Sequence, residues 1–340
     1  MPGNKFKVAS LFCGCGGSDL GMVGGFEYLG KRYEELPFEI LYAADFDRWA
    51  VETYNKNFKH KAVCADVTEV DFSTIPNVDV MIGGFPCQSF STVNPTKDTN
   101  DARANLYKQI VRFLQTKKPK YFICENVKGL TIHDRGRTYK IIRKTFEDLG
   151  YTVFDKILNS KDFGVPQNRE RIYLIAFRND IAPKTFEFPE PTDTTQELWN
   201  IREEEPVPAK YYLSTTYLDT LVAHKKRHEA KGNGFGFEIR DWSDVAGAIV
   251  CGGMGRERNL VVDNRQKNLV PTTHIKGEIN PYGIRKITPR EWARLQGYPD
   301  DFVLPLADTH LYKQLGNSVT VNVIEAIAEK IRMVLDGRIN

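Results

Sequence analysis

Cys87 is the residue of this sequence best placed to act as a nucleophile. It lies in residues 83–91, which read Gly-Gly-Phe-Pro-Cys-Gln-Ser-Phe-Ser. The apolar run 78–82 predicts a short buried strand, and the glycine pair after it ends that strand. Because Pro86 fixes the backbone ahead of the cysteine, the thiol would sit on a stiff turn at a strand's carboxyl end, where open α/β sheets bind ligands. The alternative is a buried structural cysteine.

A thiol needs help to react near neutral pH, since its reference pKa is about 8.5. Glu125 follows the apolar strand 121–124, and partial desolvation there would raise its pKa and favour proton donation. Arg169 and Arg171 precede another strand; two residues apart on extended chain, they would face one side and could clamp a phosphate or a base edge. A surface glutamate with a capping asparagine and a charged strand edge are the structural alternatives.

A glycine-rich loop follows the first predicted strand. Residues 12–19 read Phe-Cys-Gly-Cys-Gly-Gly-Ser-Asp, and glycines at such a turn let the backbone approach a ligand closely. The spacing is not that of a dinucleotide-binding loop. Asp45 ends the second predicted strand, where an acidic residue suits a ribose diol, and Asp66 lies near the third.

The first half of the chain alternates strand-like and helix-like segments, which favours a parallel, doubly wound α/β sheet. Strands are predicted at 6–12, 40–44, 78–82, 121–124, 152–158 and 172–177. Helices are predicted near 47–58, 103–116 and 138–149. The alternation stops after Phe177, and prolines crowd residues 181–210. Residues 211–282 indicate a smaller second domain, and regular structure resumes at Thr288, ending in a helix with apolar residues at 323, 327, 331 and 334.

Composition excludes several classes of protein. The six cysteines form no CxxC pair and no zinc-ligand spacing, so no metal site is expected and reduced thiols in a cytosolic protein are favoured. No secretory signal or membrane-spanning run is apparent. The net charge is only +3, but residues 221–300 carry 14 Lys and Arg against 9 Asp and Glu. That excess is typical of a surface that binds a polyanion, or of a solvated face.

Taken together, these motifs resemble those of the cytosine-5 DNA methyltransferases, and the resemblance covers all but about residues 185–282. In order, the chain has the glycine loop, Pro86-Cys87-Gln88, Glu125-Asn126-Val127, Gln167-x-Arg169-x-Arg171, residues 285–299 and Gly316-Asn317-Ser318-Val319. The resemblance implies the S-adenosylmethionine-dependent methyltransferase fold: a doubly wound, mainly parallel sheet with a smaller target-recognition domain. It divides the chain into a catalytic and cofactor-binding domain at 1–184, a DNA target-recognition domain at 185–282 and a returning segment at 283–340.

The resemblance also implies roles for individual residues. Cys87 would attack carbon 6 of a flipped-out cytosine, Glu125 would act at ring nitrogen 3 and Arg171, with Arg169 in the same motif, would steady the base. Asp45 stands where many members have Glu. The residues implied to bind S-adenosylmethionine are Phe12, Gly14, Gly16, Gly17, Asp45, Phe46, Asp66, Val67, Pro86, Asn317, Ser318 and Val319. The residues implied to bind double-stranded DNA are Gln88, Ser89, Ser91, Arg256 and Arg258.

The DNA contacts themselves stay open at this stage. Arg256 and Arg258 lie in a glycine-rich string and could read guanine, contact phosphate or do neither. The basic residues 225–227 would be an exposed helix face or a nonspecific phosphate contact. The polar loop 89–104 is expected to close over DNA. A bacterial, cytoplasmic and nucleoid-associated monomer that works beside a restriction endonuclease is the family expectation.

Three other functions were weighed. A tRNA cytosine-5 methyltransferase shares the fold and the Cys/Glu pair, but its Cys-Phe-Thr signature is missing here. A catalytically silent DNA-binding relative is disfavoured by the intact Cys87, Glu125, Arg169 and Arg171. A nicotinamide-dependent oxidoreductase is disfavoured by the spacing of the glycine loop.

Overall fold

The computed structural model describes residues 5–85, 106–192, 194–232, 236–251, 255–266, 270 and 277–335. The chain divides into two compact units. The first unit comprises residues 1–159, 170–191 and 318–340, and the second comprises residues 160–169 and 192–317. The second unit thus takes in 160–169 and 283–317 as well as most of the predicted target-recognition segment. The predicted functional division at 184/185 and 282/283 stays a prediction.

The first unit is built on a seven-stranded sheet with the order β5-β4-β1-β6-β7-β10-β8. Its strands are β1 (Phe6–Leu11), β4 (Phe38–Asp45), β5 (Val63–Cys64), β6 (Val80–Gly84), β7 (Tyr121–Val127), β8 (Tyr151–Asn159) and β10 (Glu170–Arg178). A separate hairpin is formed by β2 (Glu27–Tyr28) and β3 (Lys31–Arg32). The six strands predicted from apolar runs are confirmed, with ends that differ by up to three residues.

The sheet is mainly parallel, as predicted. Strands β5, β4, β1, β6 and β7 run parallel to one another. Only β10 is reversed, since it pairs antiparallel with both β7 and β8. The carboxyl ends of the five parallel strands therefore meet at one edge of the sheet, which is where open α/β sheets bind ligands.

Helices of the first unit cover the sheet through apolar stripes. They are α1 (Gly17–Val23), α2 (Arg48–Asn57), α3 (Leu106–Lys117), α4 (Arg137–Asp148) and α9 (Val321–Leu335). On α3, Ile110, Phe113 and Leu114 are buried in a cluster with Phe122 of β7 and Phe146 of α4. Burial of each such side chain contributes roughly 1.5–3 kcal/mol to folding. None of the described helices is long and apolar enough to cross a lipid bilayer.

The first and last helices of this unit are in backbone contact. Gly21 of α1 lies so close to α9 that a Cβ atom there would stand 2.6 Å from the Val321 carbonyl oxygen and 2.7 Å from Ile324 Cβ. Any larger side chain at position 21 would push the two helices apart. The predicted apolar face of α9 is confirmed, because Val323, Ile327 and Ile331 are buried.

The second unit has short strands and mostly short helices. Its strands are β9 (Gln167–Asn168), β11 (Ile239–Arg240), β12 (Ala246–Gly247), β13 (Leu260–Val262) and β14 (Ile284–Lys286). Its helices are α5 (Leu198–Ile201), α6 (Thr215–Glu229), α7 (Pro289–Leu295) and α8 (Asp308–Asn317). The predicted helix start at Thr288 is confirmed: its side chain accepts from the Glu291 N–H, and Glu291 Oε2 accepts from the Thr288 N–H.

A buried charge network holds the second unit together around Arg285, whose side chain is fully buried. Its guanidinium donates to both carboxylate oxygens of Glu291 at 2.8 Å and to Asp263 Oδ2 at 3.0 Å. Burial alone would raise the pKa of Asp263, but hydrogen bonds from Arg265 and the charge of Arg285 hold that pKa well below its usual range. Both carboxylates are therefore compensated as anions.

We expect Arg285→Met to destabilise the second unit by about 3–5 kcal/mol, because buried Glu291 would lose its guanidinium partner and buried Asp263 would lose one of its two. Lys210→Met is the matched control: it breaks the half-exposed pair with Asp308 in the same unit and should cost less than about 1 kcal/mol. Urea unfolding followed by tryptophan fluorescence would measure both free energies of unfolding, and equal losses would contradict the role of Arg285 as the centre of the buried network.

Acid should remove the contribution of Asp263 to stability as the pH falls, since the pKa of Asp263 is depressed in the folded protein.

Candidate active site

The glycine loop joins β1 to α1 at the ligand-binding edge of the first unit. Its backbone is left-handed at Phe12 (φ 57°), Gly14 (φ 54°) and Gly16 (φ 100°). A Cβ atom at Gly16 would stand 2.3 Å from the Phe58 ring, so only glycine fits there. A Cβ atom at Gly14 would meet no atom within 4 Å. The loop is thus tightly packed on its inner side and open to a ligand at Gly14.

Asp45 anchors this loop to the end of β4. Its Oδ2 accepts from the Gly14 N–H at 2.9 Å, and its Oδ1 accepts from the Asp47 N–H at 2.8 Å. Asp47 in turn caps α2 by accepting from the Trp49 N–H. The next residue, Phe46, leaves 70% of its surface exposed. An exposed aromatic face beside a fixed carboxylate is suited to binding a nucleoside.

Asp66 and Val67 follow the short edge strand β5. The Thr68 N–H and hydroxyl both donate to Asp66 Oδ1, and these bonds lower the pKa of that exposed carboxyl group. Val67 is buried, and its carbonyl accepts from Arg112 Nη2 at 2.6 Å. Asp66 is therefore an anionic acceptor held on a fixed turn.

The late cofactor motif falls at the boundary between the two compact units. Ser318 and Val319 belong to the first unit, where the Ser318 hydroxyl donates to the Val319 carbonyl. Asn317 belongs to the second unit, where its Oδ1 accepts from the Cys251 thiol at 2.6 Å. The cofactor role of these three residues stays a prediction.

The predicted nucleophile lies outside the described residues. So do Pro86, Gln88, Ser89, Ser91 and the loop 89–104. The last residue described before them is Phe85, which is buried and whose carbonyl accepts from Asn126 Nδ2 at 2.8 Å. Asn126 also accepts from the Val127 N–H at 2.9 Å. Its side chain therefore ties the end of β7 to the segment that leads to Cys87.

Glu125 and Arg171 form a pair at the end of β7. Arg171 Nε lies 3.1 Å from Glu125 Oε1, and the two side chains are 13% and 15% exposed. The ladder places Gly84 of β6 beside Glu125. A Cβ atom at Gly84 would stand 3.1 Å from Glu125 Oε2, so the glycine leaves room for the carboxylate. The structure thus brings together two of the predicted catalytic side chains.

Arg169 and Arg171 fall in different compact units. The chain passes from the second unit to the first between Arg169 and Glu170. Arg169 is buried, and its guanidinium donates to the carbonyl oxygens of Ile249 and Gly316 within the second unit. The predicted action of the two arginines on one base or phosphate stays a prediction.

The arginines of the glycine-rich string differ in exposure. Gly252 and Gly253 lie outside the described residues, and Gly255–Glu257 form one turn of 3₁₀ helix. Arg256 is exposed and lies 5.5 Å from the centre of the Tyr312 ring, whereas Arg258 is half-buried. Glu257 is buried and accepts from the Tyr217 hydroxyl at 3.1 Å. Glu257 thus anchors the glycine-rich string, and the Arg256 side chain is exposed to solvent.

Sequence reasoning missed the structural use of several residues in these motifs. The structural alternative for Asn126 was a cap of the next element, and its bond to the Phe85 carbonyl could not be predicted from the sequence. Gln167 is fully buried and bonds to Leu295 and Ile249, far along the chain. The amide type of both side chains was the only available signal, since their partners depend on the fold. Among the described residues, no group of three or more His, Cys, Asp or Glu side chains could hold a metal ion.

Comparison with solved structures supports this fold. The crystal structure of the Schizosaccharomyces pombe Dnmt2 methyltransferase matches with a TM-score of 0.72 at 21% identity, over 98% of this chain and 99% of that one. A putative DNA modification methyltransferase encoded within an Escherichia coli prophage matches with a TM-score of 0.66 at 22% identity, over 98% and 100%. At these identities the likeness concerns the fold alone.

Comparison of sequences identifies the family. The chain is 47% identical to the Type II methyltransferase M.HpaII of Haemophilus parainfluenzae over 96% of this chain and 89% of the relative. It is 37% identical to M.SsoII of Shigella sonnei over 98% and 82%. Residues 6–333 match the family of C-5 cytosine-specific DNA methylases. The chain therefore belongs to that family and is a DNA (cytosine-5-)-methyltransferase.

Proposed function

We propose that this enzyme transfers the methyl group of S-adenosylmethionine to carbon 5 of one cytosine in a specific duplex DNA sequence, through a covalent bond to Cys87. The observation that carries the proposal is the Glu125–Arg171 pair, which lies beside Gly84, three residues before Cys87. A carboxyl group held beside the strand that leads to the proposed nucleophile is suited to act as the general acid when a thiolate adds to a ring carbon.

The residues at the edge of the sheet fit the proposed cofactor. Phe46 offers an exposed ring, Asp45 and Asp66 offer carboxylate oxygens, and Gly14 leaves open space above the loop. These groups match an adenine ring, a ribose diol and an adenine amino group. When bound, S-adenosylmethionine supplies an electrophilic methyl group on a sulfonium centre. The role of the loop is to hold that group while excluding water.

The chain's own residues account for activation of the base. The Cys87 thiolate forms a bond to carbon 6, and the ring electrons move toward carbon 5, which becomes nucleophilic. Glu125 holds a proton at ring nitrogen 3 and so stabilises the charge that develops there. Arg171 keeps the Glu125 carboxyl group in place. After carbon 5 takes the methyl group and loses its proton, the bond to carbon 6 breaks and Cys87 leaves as the thiolate.

Base flipping follows from the position of the reacting atoms. Carbons 5 and 6 of a cytosine in a duplex cannot be reached by a cysteine in a pocket, so the nucleotide must leave the stack. We infer that Gln88, Ser89 and Ser91 contact the DNA from the loop that follows Cys87. A partner restriction endonuclease belongs to this proposal, because the similar proteins are named Type II methyltransferases. A monomeric state and a cytoplasmic location are proposed as expectations for the family.

We expect labelled methyl transfer from S-adenosylmethionine to unmethylated duplex DNA, with the label recovered as 5-methylcytosine. Cys87→Ser should lower the rate by at least roughly a thousandfold, and Glu125→Gln by roughly a hundredfold. A mechanism-trapping cytosine analogue should crosslink to the wild type and not to Cys87→Ser. Normal turnover by Cys87→Ser would overturn the covalent mechanism, and label in tRNA alone would favour the tRNA alternative.

Asn126 is proposed as a positioning residue for this reaction, because its side chain holds the Phe85 carbonyl two residues before Cys87. Asn126→Ala would leave that buried oxygen without its donor, at a cost of about 1–3 kcal/mol in the free energy of unfolding. The turn that carries the nucleophile would also lose one of its anchors.

We expect Asn126→Ala to lower kcat about tenfold or more while the Kd for S-adenosylmethionine, measured by calorimetry, stays within about twofold. Asn179→Ala is the matched control, because it removes an exposed asparagine that bonds to Thr152 at the other end of β10. If Asn126→Ala loses only stability and keeps its kcat, the residue has a structural role alone.

Arg256 and Arg258 are proposed to contact DNA from the anchored string of the second unit. Arg256→Ala and Arg258→Ala should each weaken binding, by about 1–3 kcal/mol where a guanine is read. Relaxed sequence preference would identify a base contact. An equal loss of affinity for all sequences, with the slope of log affinity against log salt concentration reduced by about one, would identify a phosphate contact. Arg32→Ala, which removes an exposed arginine of β3 in the first unit, serves as the control. Unchanged affinity and preference in both variants would exclude a DNA role for the string.

A further inference from the structure

Asp19 is a buried carboxylate that the mechanism above does not use. It lies in α1, directly behind the glycine loop, and is 0% exposed. The nearest polar groups are the hydroxyls of Ser10 on β1 and Tyr54 on α2. None of the oxygens of these three side chains makes a hydrogen bond of normal geometry within the described part of the chain. A buried carboxylate without such bonds is costly to ionise, so it calls for an explanation.

This carboxylate lies against the inner side of the cofactor loop. Asp19 and Asp45 both act through space on the Cys13 thiol, and together with burial they raise the pKa of Cys13. Asp45 is the residue that anchors Gly14. Tyr54, a neighbour of Asp19, also approaches the loop, because a Cβ atom at Gly16 would stand 3.0 Å from its ring. Asp19 is therefore buried in the helix that continues this short loop, whose Gly14 position faces open space.

We propose that the buried charge of Asp19 makes the site discriminate between the cationic S-adenosylmethionine and the neutral product S-adenosylhomocysteine. The inference rests on the proposed cofactor. The two molecules differ by a methyl group and one positive charge, so contacts with their adenine, ribose and amino-acid parts are shared. A negative charge across the loop attracts the sulfonium and leaves the thioether nearly unaffected. In a medium of low polarity, such an attraction corresponds to roughly tenfold in Kd.

The side chains that face Asp19 do not neutralise its negative charge. Ser10 faces it from β1, Cys13 from the loop and Tyr54 from α2, and none of these three carries a positive charge. Helix α9 also packs on α1, but its partly buried acid, Glu325, faces Lys31 and Tyr33 instead. Burial raises the pKa of Asp19 to about 6, and the two hydroxyls offset part of that rise. The charge should therefore be present above about pH 7 and absent near pH 5.

The experiment is calorimetric titration of the full chain with each of the two molecules, between about pH 5 and about pH 7. For the wild type, the ratio of Kd for S-adenosylhomocysteine to Kd for S-adenosylmethionine should rise roughly tenfold over this range. In Asp19→Asn the ratio should stay flat at its low-pH value. Glu325→Gln is the matched control, since it removes another carboxyl with a raised pKa from the same unit, and it should behave as the wild type does.

Two further measurements separate this role from a structural one. Asp19→Asn should be at least as stable as the wild type at neutral pH, because burying the charge opposes folding above the raised pKa. Tyr54→Phe keeps the ring but removes a hydroxyl that lowers the pKa of Asp19. The rise in the ratio of the two Kd values should therefore occur at higher pH in this variant. A pH-dependent ratio that persists in Asp19→Asn, or an equal loss of affinity for both molecules, would overturn the inference. Absence of binding by the wild type would instead overturn the proposed cofactor.

Discussion

The backbone ladder that joins β6, β7 and β10 is the constraint on which the candidate active site depends. It places Gly84 of β6, Glu125 of β7 and Tyr173 of β10 side by side on neighbouring strands. Arg171, two residues before Tyr173 on β10, pairs with Glu125. The reversal of β10 is what allows this meeting, because an antiparallel strand begins where its parallel neighbours end. Asn126 adds a side-chain bond across the same ladder to Phe85. Glu125, its guanidinium partner and Phe85, two residues before the proposed nucleophile, are thus positioned by one set of paired strands.

Local patterns allowed several elements of both units to be predicted because they carry their own signal. Apolar runs gave the strands of the first unit, the apolar stripe of α9 gave its final helix, and Thr288 with Glu291 gave the start of α7 in the second unit. Partners distant in sequence could not be predicted in this way. The carbonyl partners of Arg169 lie 80 and 147 residues further along the chain. The contacts of Asn126 and the isolation of Asp19 likewise depend on chain segments that only the fold brings together.

Two buried carboxyl groups of this protein differ in whether nearby positive charges compensate them. Asp263 has Arg265 and Arg285 as partners, so its ionised form is stabilised and supports the second unit. Within the described part of the chain, the polar groups that act on Asp19 are uncharged hydroxyls, so its ionised form is held at an energetic disadvantage. The first arrangement is typical of a structural network. The second is typical of sites where burial tunes a carboxyl group toward neutral pH, and it occurs here beside the loop proposed to bind the cofactor.

The contact between Gly21 and α9 has a consequence for synthesis of the protein in the cell. Helix α1 emerges from the ribosome early, but the helix that covers it is encoded some 300 residues later. At roughly 5–20 residues per second, the surface of α1 that α9 covers waits about 15–60 seconds for its partner. The intervening second unit is translated during this interval. Nascent chains of this enzyme therefore complete the first unit only at the end of synthesis.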